Sequence, residues 1–265
     1  MSDEQGPPGI DTSVPHSARI WNYLLGGRDN YAVDRAAGDN VLAVFPGMVD
    51  ITRHSRVFIG RVVRQLAERE GIRQFLDIGT GLPTHDNTHE IAQRVSPDCR
   101  VVYVDNDPLV LAHAHALLTS TPEGATAYID ADVRDPARIL REAAGTLDLD
   151  RPVGLMLMGI LGLVADDDEC RAIIRTLMDA LPAGSFLGLN DGTDTDPAYV
   201  KAIEGFNAKS GAVPYTPRGP ERIERFFDGY ELLEPGVVSC PRWRPEALLG
   251  EPDEVAVFGG LARKS

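Results

Sequence analysis

The N-terminal quarter of the chain has apolar positions at helical spacing. Apolar residues recur every three or four positions in three segments, 18–25, 33–44 and 52–69, and this period predicts three α-helices. Ser17 is a typical N-cap before the first helix, while Gly26-Gly27 and Gly71 are typical stops after the first and the third. The pattern therefore predicts a helical N-terminal cap over residues 16–70.

After Gly71 the pattern changes to short apolar runs that alternate with amphipathic segments. Five runs predict buried strands, at 75–78, 100–104, 125–129, 154–158 and 185–189. The segments that follow them predict helices, at 87–94, 108–118, 136–144, 166–181, 197–209 and 220–227. Strands that alternate with helices pair in parallel and are covered on both faces, so the pattern predicts an α/β fold.

The last part of the chain departs from this alternation. Residues 230–238 and 254–261 both have the pattern of strands, but residues 239–252 between them are rich in proline and leave room for a short helix at best. Two strands that lack a crossover helix pair antiparallel. We therefore expect an antiparallel hairpin at one edge of the sheet.

Composition and charge narrow the classes of function. Hydrophobic residues make up 43% of the chain, which is typical of a folded globular protein. The formal net charge of −14 argues against nucleic acid or an anionic membrane surface as a partner. No apolar run reaches the roughly 18 residues of a membrane span. The main basic segment, the arginines between residues 53 and 73, is either a solvated helix face or a patch that attracts a substrate.

The N-terminus and the cysteines bear on localisation. Residues 1–15 are rich in Pro, Gly, Ser and acidic residues, which predicts a disordered tail without the pattern of a signal peptide. Cys99, Cys170 and Cys240 are far apart and lack the spacing of metal ligands. We expect a reduced, cytoplasmic protein without a metal site.

The strongest chemical signal is the run Asp77-Ile-Gly-Thr-Gly-Leu-Pro directly after the first predicted strand. Glycines allow the backbone to turn tightly and to approach a ligand closely. The second strand ends at Asp105-Asn106, where an acid accepts the hydroxyls of a ribose. The third is followed by Asp132-Val133, where a carboxylate suits an adenine amino group. Because the carboxyl ends of parallel strands share one edge, the three tips predict a nucleoside site.

Electrostatics distinguishes two nucleoside ligands. A dinucleotide site needs G-x-G-x-x-G, but Thr84 occupies the third glycine position after Leu82-Pro83. The carboxylate of Asp77 would also lie close to a pyrophosphate. S-adenosylmethionine has no phosphate and carries cationic ammonium and sulfonium groups, so the acidic site favours it. An NAD-linked oxidoreductase is the weaker alternative.

These motifs resemble those of class I methyltransferases. More closely, three runs are similar to an actinomycete family of S-adenosylmethionine-dependent methyltransferases that was long a domain of unknown function. They are Ala18-Arg-Ile-Trp-Asn-Tyr-Leu-Leu-Gly-Gly-Arg-Asp-Asn-Tyr, Leu76-Asp-Ile-Gly-Thr-Gly-Leu-Pro-Thr and Asn87-Thr-His-Glu. The resemblance covers nearly the whole chain after the tail. Pro83, where class I enzymes commonly have a third glycine, is a departure that stiffens the loop.

The resemblance implies a Rossmann-like sheet of seven strands with an antiparallel last strand beside the fifth. It also implies an S-adenosylmethionine-binding domain over residues 71–265. The cofactor contacts it implies are Asp77, Gly79, Gly81, Asp105 and Asp132, to which we add Thr80, Asn106, Val133 and Met158.

The fourth predicted strand ends in Met158-Gly-Ile-Leu-Gly. Many methyltransferases that act on amino groups have an Asn/Asp-Pro-Pro-aromatic run there, so this run argues against methylation of an adenine or a glutamine amide. We expect Met158 and Gly159 either to line the wall near the cofactor or to pack in the core.

Two further groups of residues invite metal or acid–base chemistry. They are His85, Asp86 and His89 after the glycine run, and Asp191, Asp194 and Asp196 after the fifth strand. Asp86 is better interpreted as a helix N-cap and His89 as a packed or capping residue, and aspartate-rich turns are common. Tyr23, Arg28 and Tyr31 form either a lid over the cofactor or a structural cap.

The sequence as a whole predicts an S-adenosylmethionine-dependent methyltransferase that acts on a small-molecule acceptor. Methyl transfer from a sulfonium is an in-line displacement that depends mainly on alignment and desolvation, so the sequence assigns no catalytic residue. The alternative is a regulatory protein that binds S-adenosylmethionine or S-adenosylhomocysteine without turnover. The acceptor and the oligomeric state stay open.

Overall fold

The computed structural model describes residues 10–84, 86–117, 119–245 and 250–265 of the chain. The helices are α1 (Ser17–Leu24), α2 (Ala32–Val44), α3 (Met48–Glu68), α4 (Thr88–Val95), α5 (Pro108–Leu117), α6 (Pro136–Ala143), α7 (Asp167–Asp179), α8 (Pro197–Lys209) and α9 (Pro220–Glu224). The strands are β1 (Gln74–Ile78), β2 (Arg100–Asp105), β3 (Ala125–Asp130), β4 (Gly154–Met158), β5 (Phe186–Gly192), β6 (Glu231–Leu232), β7 (Val238–Ser239) and β8 (Val257–Arg263). Short 3₁₀ turns lie at Leu161–Leu163, Arg225–Phe227 and Cys240–Arg242.

The strands form one sheet in the order β3-β2-β1-β4-β5-β8-β6, and β7 pairs with β8 outside this path. β1 to β5 are parallel, and Phe75 of β1 pairs with Val101 of β2 and with Gly154 of β4. β8 is antiparallel to β5, with Leu189 opposite Gly260, and also to β6 and β7. The predicted α/β fold with an antiparallel last strand beside the fifth is confirmed.

The edge of the sheet differs in detail from the prediction. Residues 230–238 form two short strands, β6 and β7, so the described sheet has eight strands and not seven. Pro235 has no N–H to donate to β8, and the Gly236 N–H donates instead to the carbonyl of Leu233 at 2.9 Å. The turn between these residues breaks the single strand that the apolar pattern indicates.

One face of the sheet is covered by α3. Its side chains Phe58 and Leu66 are fully buried and belong to the same apolar cluster as Phe75 of β1 and Met156 of β4. Each such burial contributes about 1.5–3 kcal/mol to the free energy of unfolding. The helix begins at Met48, one turn before the predicted start, because Met48 extends the buried face.

The opposite face is covered by α6 and α7. Ile139 of α6 and Leu177 of α7 are fully buried against Leu155 of β4. With both faces covered, the ends of the strands are where the sheet can meet a ligand. In the part of the chain that the structure describes, no helix has both the length and the apolar character that crossing a bilayer requires.

The N-terminal helix α1 is attached to the end of β2 by a buried ion pair. Arg19 donates from Nε to Asp107 Oδ2 at 2.8 Å and from Nη2 to Asp107 Oδ1 at 3.0 Å. Arg19 Nη1 also donates to the carbonyl of Asp11 at 2.8 Å. Of the predicted disordered tail, residues 1–9 lie outside the described residues, whereas Ile10 packs against a small apolar cluster.

Candidate functional site

A cavity of about 220 Å³ opens at the carboxyl ends of the parallel strands. It lies where β1 and β4 are neighbours, the point at which the strand order reverses and where open α/β sheets bind their ligands. All the residues that the sequence places at the cofactor line this cavity, namely Asp77, Gly79, Thr80, Gly81, Asp105, Asn106, Asp132, Val133 and Met158. The carboxyl ends of β1, β2, β3 and β4 therefore surround one cavity.

The loop after β1 is shaped by two glycines. Gly79 and Gly81 have φ angles of +74° and +67°, in the left-handed region that favours glycine. The Gly79 N–H donates to the carbonyl of Val104 at 2.8 Å, and the Gly81 N–H donates to Asp105 Oδ2 at 2.8 Å. A Cβ atom on Gly81 would enter open space, so bare backbone forms this part of the cavity wall.

Asp105 ends β2 with its carboxylate held in place by backbone donors. Oδ2 accepts from the Gly81 N–H, and Oδ1 accepts from the Asp107 N–H at 3.0 Å. Burial raises the pKa of Asp105, and these two backbone hydrogen bonds act in the opposite direction. Each carboxylate oxygen can accept more than one hydrogen bond, so Asp105, which lines the cavity, keeps acceptor capacity for a ligand.

Asp77 is a buried carboxyl beside the glycine loop. Its Oδ2 accepts from Thr88 Oγ1 at 2.6 Å. Burial raises its pKa from 3.8 to about 6, against the opposing effects of the Thr88 hydroxyl and the Arg56 guanidinium. The group is therefore negatively charged near neutral pH, and it places a carboxylate where a cationic ligand group would be stabilised.

Asp132 and its neighbours form the side of the cavity after β3. Asp132 Oδ1 accepts from the Arg134 N–H at 2.8 Å, and Asn106 Nδ2 donates to Asp132 Oδ2 at 3.3 Å. Val133 is buried and supplies apolar wall beside these polar groups. A flat heterocycle with polar edges would find both kinds of contact there.

The other side of the cavity is apolar, and we call it the apolar half. It is formed by Trp21 of α1, Met48 of α3, Met158 of β4, Tyr199 and Phe206 of α8, and Tyr215. Of these residues, the sequence analysis identified Met158 alone as part of the site. The apolar stripes of α1 and α8 predict that each helix buries one face. The sequence of neither helix indicates that the two faces line the same cavity.

The residues that invite metal chemistry have other contacts. Asn87, and not Asp86 as predicted, is the N-cap of α4, because its side chain and that of Glu90 close a capping box. His85 lies outside the described residues. His89 is buried, and its Nδ1 lies 2.8 Å from Tyr103 Oη.

Asp191, in β5, and Asp196, after it, have separate structural contacts. Asp196 caps α8 by accepting from the Ala198 and Tyr199 N–H groups, whereas Asp191 is buried and bonds to Tyr215. Across the described ranges, no group of three or more His, Cys, Asp or Glu side chains is arranged to hold a metal ion. Tyr23, one of the three residues for which a lid was considered, lies in α1, and its Oη donates to Asp39 Oδ1 at 2.6 Å.

Comparisons with known proteins agree with this geometry. The model of the S-adenosyl methyltransferase family matches residues 3–265. A DUF574 family protein from Streptomyces avermitilis MA-4680 is 46% identical, with a TM-score of 0.92 over 97% of this chain and 100% of that one. A proposed methyltransferase from Thermobifida fusca YX is 41% identical, with a TM-score of 0.89 over 97% of this chain and 98% of that one. No protein with a curated description matches the chain significantly.

The sheet order and the cavity at the strand ends define a class I methyltransferase fold. The pyocyanin biosynthetic protein PhzM has this fold at 14% identity, with a TM-score of 0.50 over 83% of this chain and 58% of that one, and at this identity the likeness concerns the fold alone. The chain belongs to the S-adenosyl methyltransferase family.

Proposed function

We propose that the chain is an S-adenosylmethionine-dependent methyltransferase that acts on a small molecule. The observation that carries this proposal is that Asp77, Asp105 and Asp132, from three strand ends, line one cavity. Asp105 would hold the ribose hydroxyls and Asp132 the adenine amino group. Asp77 would stabilise the cationic amino-acid part. Membership of the family supports the same ligand.

The carboxylates of the cavity fit a cationic nucleoside better than a dinucleotide. Asp77 and Asp105 are both buried at the glycine loop, where their negative charge would repel a pyrophosphate. Gly81 and Gly159 both line the cavity, and a Cβ atom on either would enter open space. The backbone at these two positions thus forms a cradle that a side chain would fill.

In this proposal the residues of the chain align the two substrates and exclude water from the reacting atoms. Bound S-adenosylmethionine supplies an electrophilic methyl group on a positively charged sulfur. The strand ends would fix the nucleoside, and the apolar half would hold the acceptor in line with the methyl group. Side chains such as Trp21 and Phe206 would keep water from the reacting atoms, since they line the cavity with apolar surface.

The proposal extends to organisation and location. Residues 16–70 would act as a helical cap and residues 71–265 as the cofactor-binding domain. A cytoplasmic location is supported by three buried free cysteines, which a reducing compartment preserves. The net charge of −14 supports a small-molecule partner over nucleic acid or an anionic membrane surface.

Calorimetric titration of the protein with S-adenosylmethionine, S-adenosylhomocysteine and NADH tests the ligand. We expect the first two to bind and Asp105→Ala to weaken both by about ten- to hundredfold, because hydrogen bonds to a charged group are lost. The matched control is Asp98→Ala. Asp98 is an exposed aspartate two residues before the start of β2, and this variant is expected to bind both nucleosides normally. Binding of NADH alone, or equal affinities of the two variants, would refute the assignment.

Transfer of labelled methyl groups to a metabolite extract separates an enzyme from a regulatory protein. We expect label to leave S-adenosylmethionine and to appear in an organic fraction. Tight binding of both nucleosides without transfer to any fraction would favour the regulatory alternative.

A further inference from the structure

The acidic, basic and histidine side chains of the cavity belong to the turns after the strands or to the strand ends, or contact these turns. Among the described lining residues they are His16, Arg56, Asp77, Asp105, Asp132 and Arg134. His16 Nδ1 lies 3.2 Å from Asp107 Oδ2, and Arg56 Nη2 donates to the carbonyl of Asp86 at 3.1 Å. The apolar half instead presents flat or flexible apolar side chains, which suits an uncharged planar molecule.

Tyr215 is the residue of the apolar half whose hydroxyl is fixed by hydrogen bonds. Its Oη donates to Asp191 Oδ1 at 2.7 Å and accepts from the Gly192 N–H at 2.8 Å. Its backbone is held on both sides by Asn207, which donates to the Tyr215 carbonyl at 2.8 Å and accepts from its N–H at 2.9 Å. Although Tyr215 lies in a loop, its hydroxyl has a defined position.

Gly162 makes room for this tyrosine. A Cβ atom at Gly162 would lie 2.2 Å from Tyr215 Cζ, so any larger residue would displace the ring. Gly162 closes the Met158-Gly-Ile-Leu-Gly run that replaces the Asn/Asp-Pro-Pro-aromatic run of amino-directed enzymes. The glycine at the end of this run thus allows the Tyr215 ring and its hydroxyl to pack against the backbone after β4.

Asp191 is a buried carboxyl with spare acceptor capacity. Oδ1 accepts from Tyr215 and, at 3.2 Å, from the Gly162 N–H. Oδ2 is buried and has no hydrogen-bond partner in the described part of the chain. Burial raises the pKa of Asp191 to about 6, with the Tyr215 hydroxyl and the Arg218 guanidinium acting in the opposite direction. Near neutral pH this group can therefore take up or release a proton.

We infer that the apolar half binds a neutral, planar aromatic molecule with a hydroxyl group as the methyl acceptor, and that Tyr215 accepts its proton while passing its own to Asp191. The inference rests on the proposed function. The acceptor oxygen forms a bond to the methyl carbon, and the sulfur keeps the electron pair of the bond that breaks. The acceptor proton moves to Tyr215 Oη, on the lone pair that does not accept from the Gly192 N–H. The tyrosine proton moves to Asp191 Oδ1.

Binding of small aromatic probes tests the acceptor class. The protein loaded with S-adenosylhomocysteine is titrated calorimetrically with 2-naphthol, 2-methylnaphthalene and 2-naphthoate. We expect 2-naphthoate to bind about tenfold or more weakly than 2-naphthol, because its charge would be buried without a partner. The preference for 2-naphthol over 2-methylnaphthalene, about fivefold for one hydrogen bond, is expected to vanish in Tyr215→Phe. Equal or tighter binding of 2-naphthoate, or an unchanged preference in the variant, overturns the inference.

Single-turnover transfer from labelled S-adenosylmethionine to 2-naphthol tests the proton route. We expect Tyr215→Phe to lower the rate by about a hundredfold. Tyr230→Phe, a tyrosine packed outside the cavity, is the matched control. A rate for Tyr215→Phe within about threefold of this control, or no transfer by the wild type while S-adenosylmethionine binds, overturns the inference but leaves the proposed cofactor in place. Loss of S-adenosylmethionine binding by the wild type would instead refute the proposed function.

The pH profile separates proton transfer from a structural role. With both substrates saturating, the wild-type rate is expected to rise as pH increases through about 6, where Asp191 ionises. Asp191→Asn keeps an acceptor for Tyr215 but is expected to be slower and to lack this rise. The titratable or charged groups near Asp191 are Tyr199, Tyr215, Arg218, Cys170 and Cys240. Asp77 also has a pKa of about 6, so the profiles are recorded in an Asp77→Asn background. A rise near pH 6 that persists there when Asp191→Asn is added excludes this carboxyl as the proton acceptor.

Discussion

Asp77 holds its proton more tightly in the folded chain than in the unfolded one. Its pKa is raised from 3.8 to about 6, chiefly because burial disfavours the charged form. Between these two values the folded state binds more protons, so the free energy of unfolding falls as pH rises. Well above pH 6 the carboxyl is ionised, and burial of its charge lowers the free energy of unfolding by the full amount. The carboxylate can then stabilise a cationic ligand.

Replacement of Asp77 by Asn is expected to remove the destabilisation that the buried charge causes. At pH 7 the variant should be more stable than the wild type by roughly 3 kcal/mol, and the difference should shrink toward zero as pH approaches 4. Urea unfolding across this pH range measures it, with Asp179→Asn as the control at an exposed carboxylate of α7. A difference that does not depend on pH would show that Asp77 is not the titrating group. The same variant should bind S-adenosylmethionine more weakly.

Individual site residues could be predicted when they lie at strand ends. Asp77, Asp105 and Asp132 follow three apolar runs, and the geometry of parallel strands brings such ends to one edge whatever the details of packing. Tyr215 could not be predicted in this way, because its loop has no period that locates it. Asp86 and Asn87 are both good N-caps, and the choice depends on Glu90 reaching back.

At the scale of elements, the attachment of α1 to β2 depends on Arg19. The side chains of Arg19 and Asp107 are buried and make two hydrogen bonds with each other. Arg19→Met would leave Asp107 buried without this cation, and breaking a buried pair costs about 3–5 kcal/mol. Urea unfolding is the measurement, and Arg35→Met, at an exposed arginine of α2, is the control with an expected change under about 0.5 kcal/mol. Equal losses in both variants would mean that the pair does not hold α1.

The elements themselves were largely predictable, because each has the apolar period of its own structure. α8 has the predicted bounds, and β8 lies antiparallel beside β5, as the resemblance to class I methyltransferases implied. The edge strands were less predictable, since β6 and β7 bury little and their limits depend on the turn at Pro235. Apart from Met158, the apolar half could not be predicted, because α1 and α8 reach one cavity only through tertiary packing.

At the scale of the whole molecule, the cavity joins the N-terminal helices to the strand ends. S-adenosylhomocysteine at 100 times its dissociation constant should raise the free energy of unfolding by about 2.7 kcal/mol. At short times of hydrogen exchange we expect protection of α1 as well as of the loop after β1, because both line the cavity. α7, on the opposite face, should exchange as before. Unchanged exchange in α1 would remove the N-terminal helices from the ligand site.

The buried pair between Arg19 and Asp107 has a consequence for kinetics. Asp107 is two residues beyond Asp105 and donates its N–H to that carboxylate at 3.0 Å. The proposed ribose contact and the anchor of α1 therefore share one short turn, and α1 contributes Trp21 to the apolar half of the cavity. Binding of S-adenosylmethionine would therefore fix the position of α1 and of Trp21 before the acceptor binds. Turnover is then expected to follow a compulsory order of addition, with S-adenosylhomocysteine competing against S-adenosylmethionine but not against the acceptor in product-inhibition kinetics.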